Sequence, residues 1–162
     1  MNVKTNQNSE FEIKEADGVE ILSLVDNSVD FLSAVNKDCV QSFRQWKRER
    51  EGKEWGKTHE ELPFAEHGFS VLIRVFRGEK SICVLFDTGG SRRGIVENAE
   101  RMGISLSEVE CIIISHGHYD HFGGLEAAVK AIGKKDFPII VHENMFKTRG
   151  SANANGKVRQ YP

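Results

Sequence analysis

The sequence contains little cysteine and little proline. Only three cysteines (Cys39, Cys83 and Cys111) and three prolines occur among 162 residues. No two cysteines form a Cys-x-x-Cys pair, and three cysteines cannot build the dense disulfide framework of a small secreted domain. Cys83 and Cys111 lie in apolar, strand-like runs, which indicates buried thiols whose role is packing.

Long hydrophobic runs and a strong charge of one sign are also absent. The longest apolar runs are about half a dozen residues, far below the roughly 20 that a membrane-spanning helix requires. The first 18 residues are polar and contain no signal-peptide core. A net charge of −2 gives no general attraction to nucleic acid or to anionic membranes. The sequence therefore predicts a cytoplasmic protein that binds neither nucleic acid nor membrane.

One stretch is rich in residues that bind metal ions. Three histidines and one aspartate occupy six positions in the pattern His-x-His-x-Asp-His. The apolar, β-branched run Cys111–Ile114 precedes this stretch, and a helical pattern follows Gly123–Gly124. We therefore expect the cluster where a buried strand ends and a helix begins, the edge at which open α/β sheets bind ligands. The four candidate ligands are His116, His118, Asp120 and His121.

The spacing of the four residues suits two pairs of ligands. In an extended loop, His116 and His118 are two positions apart, so their rings point the same way. The adjacent Asp120 and His121 can point elsewhere as the chain turns into the helix, so a second ion could bind there. Imidazole and carboxylate groups suit zinc, iron or manganese, and such an ion activates water near neutral pH. A surface loop without a function would rarely gather these side chains so closely.

These motifs resemble a known family. Ser-His-Gly-His-Tyr-Asp-His-Phe-Gly-Gly-Leu is similar to the metal signature of the metallo-β-lactamase superfamily. The run Val84–Gly89 resembles the family's strand that ends in Asp-Thr-Gly. The elements Ala65–Ser70 and Leu24–Asn27 resemble one subgroup, the dihydropterin-methyl-ribofuranosyl-aminobenzene phosphate synthase-like metallohydrolases. The resemblance covers roughly Val19 to Met145.

The resemblance implies a fold and a set of roles. The expected fold is α/β, the N-terminal half of an αββα sandwich, with a mixed sheet and helices on one face. His116 and His118 would bind one divalent ion, and Asp120 and His121 a second, with zinc preferred over iron or manganese. Asp120 would also be catalytic, because it would orient the attacking water. Asp87 would support the metal-binding histidines from behind.

His67 is the predicted contact to a small-molecule substrate. It lies in Glu-His-Gly, and an equally good interpretation is a loop histidine that caps the next strand. The family's second half supplies further ligands, for which the sequence offers no counterpart. One histidine, His142, follows His121 in the sequence. It lies so close after the signature that we interpret it as a surface or helix-start residue. The sequence thus predicts an incomplete domain.

The domain is expected over residues 19–148, between a polar lead-in (1–18) and a polar, unstructured tail (149–162). The segment 29–62 allows no firm interpretation. The pattern predicts strands at Val19–Val25, Phe69–Phe76, Ser81–Phe86, Cys111–Ser115 and Phe137–Val141, and helices at Arg93–Met102 and Leu125–Ile132.

Two functions follow from these observations. The first is a metal-dependent hydrolase with two ions, whose substrate, by resemblance, is pterin-like or bears a phosphate. The second is an inactive half-domain or fragment that needs a chain carrying the missing C-terminal half to complete the site. A zinc-stabilised structural module is a weaker third interpretation, because structural zinc prefers four ligands rich in cysteine.

Overall fold

A five-stranded mixed sheet in the order β1-β2-β3-β4-β5 is the centre of the structure. The computed structural model describes residues 13–33, 35, 37–52 and 62–160. β1, β2 and β3 pair antiparallel, whereas β4 is parallel to β3 and β5 is parallel to β4. The five strands are β1 (Gly18–Val25), β2 (Ser70–Arg77), β3 (Lys80–Phe86), β4 (Cys111–Ile114) and β5 (Ile139–Val141).

Helices connect the strands, and a small hairpin follows the sheet. In the described part of the chain, 3-10 helices span Leu106–Glu108 and Glu143–Phe146. None of the helices in the described ranges is long and apolar enough to cross a membrane. The α-helices are α1 (Phe43–Glu51), α2 (Gly94–Met102), α3 (Tyr119–Phe122) and α4 (Leu125–Ile132), and the hairpin consists of β6 (Gly150–Ala152) and β7 (Val158–Gln160).

The alternation of side chains along the strands gives the large sheet two different faces. On one face, Leu72 and Leu85 are 2% and 0% exposed and pack in one core cluster with Ile95 of α2. On the other face, Ile21 and Ile82 are 66% and 52% exposed. The predicted α/β fold with a mixed sheet and helices is therefore confirmed, and one apolar face of the sheet remains in contact with solvent.

Local sequence explains where the elements begin and end. The turn between β2 and β3 passes through Gly78 at a φ of 57°, a conformation that favours glycine. Ser42 caps the N-terminus of α1: its hydroxyl accepts from the Gln45 N–H, and the Ser42 N–H donates to the Gln45 side-chain oxygen. This capping box stabilises the start of a helix in a segment that the sequence pattern left uninterpreted.

One expectation about the fold is wrong. Residues 149–162 were expected to be unstructured, but β6 and β7 form an antiparallel pair between Gly150 and Gln160. Asn153 builds the turn, because its side chain accepts from the N–H groups of Asn155 and Lys157. Strands of three residues are too short to show the alternation that identifies a strand in a sequence.

Candidate metal centre

The candidate ligands lie at the edge where β3 and β4 end. Because the two strands are parallel, their carboxyl ends reach the same edge, and the N–H of Asp87 donates to the carbonyl of Ile113 (2.9 Å). His116 and His118 follow β4 directly. The short helix α3, which the sequence pattern did not reveal, then carries Asp120 and His121.

The structure brings the four predicted ligands together in two pairs. His116 Nε2 lies 3.0 Å from His118 Nδ1, and His121 Nε2 lies 3.5 Å from Asp120 Oδ2. With bonds of about 2.0–2.1 Å, two ligands of a tetrahedral zinc ion are about 3.3–3.4 Å apart. Both separations are within about 0.4 Å of that value, and the shorter one is also a hydrogen-bond distance. The ring centroids of His116 and His121 are 4.1 Å apart, so the two pairs are neighbours.

Asp87 is the buried group behind these histidines. It is 1% exposed, and its carboxylate accepts from the Ser115 N–H (2.8 Å), the Ser115 hydroxyl (2.7 Å) and His121 Nδ1 (2.7 Å). Because a carboxylate can only accept, His121 carries its proton on Nδ1. A neutral His121 therefore presents the Nε2 lone pair towards Asp120, as a metal ligand must.

Ser115 extends the same effect to His116. Its hydroxyl donates to Asp87 and lies 2.9 Å from His116 Nδ1, so it accepts the Nδ1 proton. His116 Nε2 is then the atom with the lone pair, and it accepts a hydrogen bond from His118 Nδ1 (3.0 Å) where an ion would otherwise lie. One carboxylate thus selects the tautomer of two histidines. Ser115 is the first residue of the signature, and the sequence pattern predicts no role for it.

The electrostatics of the cluster keep His116 neutral. Partial burial lowers its pKa below the usual value, and the positive charges of His121 and His118 when protonated lower it further, against smaller opposing effects of Asp87 and Asp120. A neutral imidazole is the form that binds a metal ion. The state of His116 near pH 7 is therefore suited to a ligand.

The donor atoms of each pair are of the kinds that bind divalent ions. Imidazole nitrogens and a carboxylate oxygen are the groups that zinc, iron and manganese accept. Among the described residues, however, no group of three or more histidine, cysteine, aspartate or glutamate side chains is arranged to hold an ion. Each pair would supply two ligands, one fewer than the usual three of a catalytic zinc site.

The segment 66–69 connects the loops around the cluster. The Glu66 carboxylate accepts from two N–H groups in the loop after β3 (both 3.1 Å), and the Phe69 N–H donates to the carbonyl of Asp120 (3.2 Å). A Cβ at Gly68 would lie 2.7 Å from that carbonyl oxygen, so only glycine allows this approach. The sequence pattern does not predict this role of Glu66, because its partners are distant in sequence.

His67 borders the cluster without joining either pair. Its Nδ1 lies 3.2 Å from Asn27 Oδ1, its Nε2 lies 3.6 Å from Asp120 Oδ2, and its side chain is 69% exposed. Among the described residues, His142 makes no hydrogen bond or ion pair with the cluster. It begins the second 3-10 helix, where its Nδ1 accepts from the Asn144 N–H (3.2 Å), as the helix-start interpretation predicted.

The three cysteines are free thiols outside the centre. Cys83 is buried as expected, whereas Cys111 is half-buried and Cys39 is exposed. Burial raises the pKa of both Cys83 and Cys111, so these thiols stay protonated near neutral pH. Packing residues in strands are expected to behave in this way.

Comparison with known proteins identifies relatives of this chain. A family profile described as the metallo-beta-lactamase superfamily matches residues 64–160. The 7,8-dihydropterin-6-methyl-4-(beta-D-ribofuranosyl)-aminobenzene-5'-phosphate synthase of Methanocaldococcus jannaschii is 40% identical over 86 residues, which is 52% of this chain and 29% of that protein. The hydroxyacylglutathione hydrolase of Chromohalobacter salexigens is 32% identical over 69 residues, which is 43% of this chain and 25% of that protein.

Solved structures in the same superfamily are similar to part of the chain. The crystal structure of MEM-A1, a subclass B3 metallo-beta-lactamase from a soil metagenome library, has 28% sequence identity and a TM-score of 0.33. The similarity covers 43% of this chain and 25% of that one. The chain matches less than a third of the length of the two relatives named above. Because the superfamily profile matches more than half of this sequence, the chain belongs to the metallo-beta-lactamase superfamily and corresponds to part of its domain.

Proposed function

We propose that this chain carries the metal-binding half of a metal-dependent hydrolase, in a domain over residues 19–148. The observation that supports the proposal best is the separation of the donors in each pair, which is close to the edge of a zinc tetrahedron. The position of the cluster at the carboxyl ends of parallel strands adds to it. Proteins of this superfamily generally bind divalent metal ions.

Each residue of the cluster has a distinct role in this proposal. His116 and His118 would hold one divalent ion, and Asp120 and His121 a second, with zinc preferred and iron or manganese as alternatives. Bound ions would supply Lewis acidity and lower the pKa of water. Asp120 would orient the attacking water through its carboxylate. Asp87 would hold His121 and, through Ser115, His116 in the tautomers that bind metal.

The substrate in this proposal is a small molecule that bears a phosphate or a pterin-like group. The support is the relative from Methanocaldococcus jannaschii, which is named as the synthase of a pterin-containing phosphate compound. His67 would contact this substrate. Its ring is mostly exposed, and Asn27 fixes one nitrogen while the other faces the cluster. An exposed histidine held at one nitrogen can meet a ligand with the other.

A second candidate function is a half-domain that is inactive until another polypeptide completes it. Two observations favour it: the two ligands available to each ion, and the exposed apolar face of the sheet. Val19, Ile21, Ile82 and Ile140 on that face are 57%, 66%, 52% and 54% exposed. Apolar patches of this kind commonly mark an interaction surface. The chain that would cover it is one that carries the remaining half of the domain.

The two functions are separated by measuring metal content and hydrolysis of phosphodiesters and esters, for the chain alone and with the remaining half supplied. We expect weak metal binding and poor turnover for the chain alone, because two ligands hold an ion less firmly than three. Supplying the other half should restore both, and His116→Ala or Asp120→Asn should then abolish the activity. Tight, stoichiometric metal with full turnover by the chain alone would contradict the half-domain. No hydrolysis in either sample would contradict the hydrolase.

A further inference from the structure

Arg149 places its guanidinium against the loop that carries the candidate ligands. A Cβ at Gly117 would lie 2.8 Å from Nη1 and 2.9 Å from Cζ of Arg149, and it would be closer still to Nη2. Gly117 separates His116 from His118, so the absence of a side chain between them leaves room for the guanidinium. A residue that the sequence pattern assigned to an unstructured tail therefore contacts the candidate metal centre.

Backbone carbonyls hold this guanidinium in position. Nη2 donates to the carbonyl oxygens of Asn144 (3.2 Å) and Met145 (2.8 Å), which belong to the second 3-10 helix. Among the described residues, no carboxylate pairs with Arg149, and its Nη1 and Nε atoms have no hydrogen-bond partner. Neither of these two atoms is buried. The charge is thus fixed in place, while two of its nitrogens keep N–H groups that have no partner among the described residues.

The charges nearby determine what the open donors can bind. His116 and His118 offer no negative charge, and divalent ions bound to them would repel the guanidinium. The two carboxylates of the cluster, Asp87 and Asp120, contact other histidines. An anion placed between the ions and the guanidinium would remove the repulsion and accept charge-assisted hydrogen bonds from the open nitrogens.

We propose that Arg149 is a binding residue for an anionic group, phosphate or carboxylate, of the substrate. The inference rests on the proposed metal-dependent function, and it specifies the charge of that function's substrate. Gly117 has a defined part in it, because a methyl group there would displace the guanidinium without removing its charge. The position of Arg149, and not only its charge, therefore becomes testable.

The test is an NMR titration of the isotope-labelled chain with inorganic phosphate and, separately, with acetate. Both the zinc-loaded and the chelator-treated chain are titrated. The variants are Arg149→Gln, Arg149→Lys, Gly117→Ala and, as a matched loss of charge on the exposed strand β7, Arg159→Gln. The signals followed are the Arg149 Nε–H and the Gly117 N–H. Thermal unfolding of each variant shows whether it is folded.

We expect one of the two anions, or both, to shift the Arg149 Nε–H signal in the unsubstituted chain. Arg149→Gln and Gly117→Ala should lower the affinity for that anion about tenfold or more, as expected for loss of a charge-assisted hydrogen bond. Arg149→Lys should have an intermediate affinity, and Arg159→Gln should not change it. The anion that binds more tightly identifies the phosphate or the carboxylate as the group recognised.

Two results would overturn the inference. An Arg149 Nε–H signal that does not move at saturating phosphate and acetate would show a purely structural arginine, whatever the variants do. Equal anion affinity in the unsubstituted chain and in Arg149→Gln would do the same. A chain that binds zinc but whose anion affinity does not depend on Arg149 contradicts this inference alone. Anion binding that depends on Arg149 in a chain that binds no zinc contradicts the proposed function alone.

Discussion

Replacing Asp87 with asparagine should weaken metal binding more than it disturbs the fold. Asparagine has the same shape, and it tolerates the positive φ of 57° at this position. Its amide oxygen can still accept from the Ser115 N–H, and the Ser115 hydroxyl can rotate to suit the new partner. The change converts charge-assisted hydrogen bonds into neutral ones, which should lower the free energy of unfolding by about 1–3 kcal/mol.

The larger effect concerns the tautomer of His121. In the variant, the amide NH2 group would face His121 Nδ1, so Nδ1 must accept and the ring proton must move to Nε2. Nε2 is the atom that lies 3.5 Å from Asp120 Oδ2, and a protonated nitrogen cannot bind an ion. Losing a partner that orients a metal ligand commonly costs about 10–100-fold in metal affinity, and we expect a loss in that range.

The assay is a zinc titration against a competing chelator, with thermal unfolding measured on the same samples. Asp136→Asn is the matched control, because Asp136 also has a positive φ, 52°, and is exposed outside the cluster. The control should keep the zinc affinity and the melting temperature of the unsubstituted chain. An unchanged zinc affinity in a folded Asp87→Asn chain would refute the argument that this carboxylate prepares His121 as a ligand.

Three further predictions concern the core, the loop packing and the pH dependence. Leu85 is 0% exposed, and Leu85→Ala should lower the free energy of unfolding by about 2–5 kcal/mol. Ile82→Ala, on the exposed face, should lower it by less than about 1 kcal/mol. Equal losses in denaturant titrations would contradict the assignment of the two faces. Gly68→Ala should lower the free energy of unfolding by about 1–3 kcal/mol and weaken zinc binding, because the new Cβ would lie 2.7 Å from backbone atoms. Gly18→Ala serves as the control, because its Cβ would meet only a ring carbon at 3.9 Å. The pKa of His116 is lowered in the folded chain, chiefly by burial, so the unfolded chain takes up the proton first and stability is lost as the pH falls below about 6.5. His116→Gln should therefore make the stability of the metal-free chain depend less on pH below about 6.5. An unaltered dependence would exclude His116 as the cause of that loss.

The fold could be predicted from the sequence because its signals are local. Apolar, β-branched runs located all five strands of the large sheet, and the helix Leu125–Ile132 was predicted with the bounds that the structure has. The candidate ligands were recognisable because they lie within six consecutive residues. A pattern of this kind can be recognised without knowing any distant contact, because all four residues lie in one short segment after a strand end.

The missed features depend on contacts between segments that are far apart in the sequence. Glu66 holds the loop after β3, and Arg149 reaches Gly117 from beyond β5. Neither contact leaves a periodic pattern in the sequence. The helix α3 has four residues and the strands β6 and β7 have three each, which is shorter than one reliable repeat of either pattern. Glycines at 68 and 117 were the available signals, because each marks a close approach of another group.

The central claim is that the cluster binds divalent ions as two pairs of ligands. It is tested most directly by an equilibrium zinc titration of the chain and of three single variants, His118→Ala, Asp120→Asn and His142→Ala. We expect two weak sites in the unsubstituted chain, loss of one in His118→Ala, loss of the other in Asp120→Asn, and no change in His142→Ala. Retention of both zinc sites in His118→Ala and in Asp120→Asn, or no saturable zinc binding at all, would contradict it.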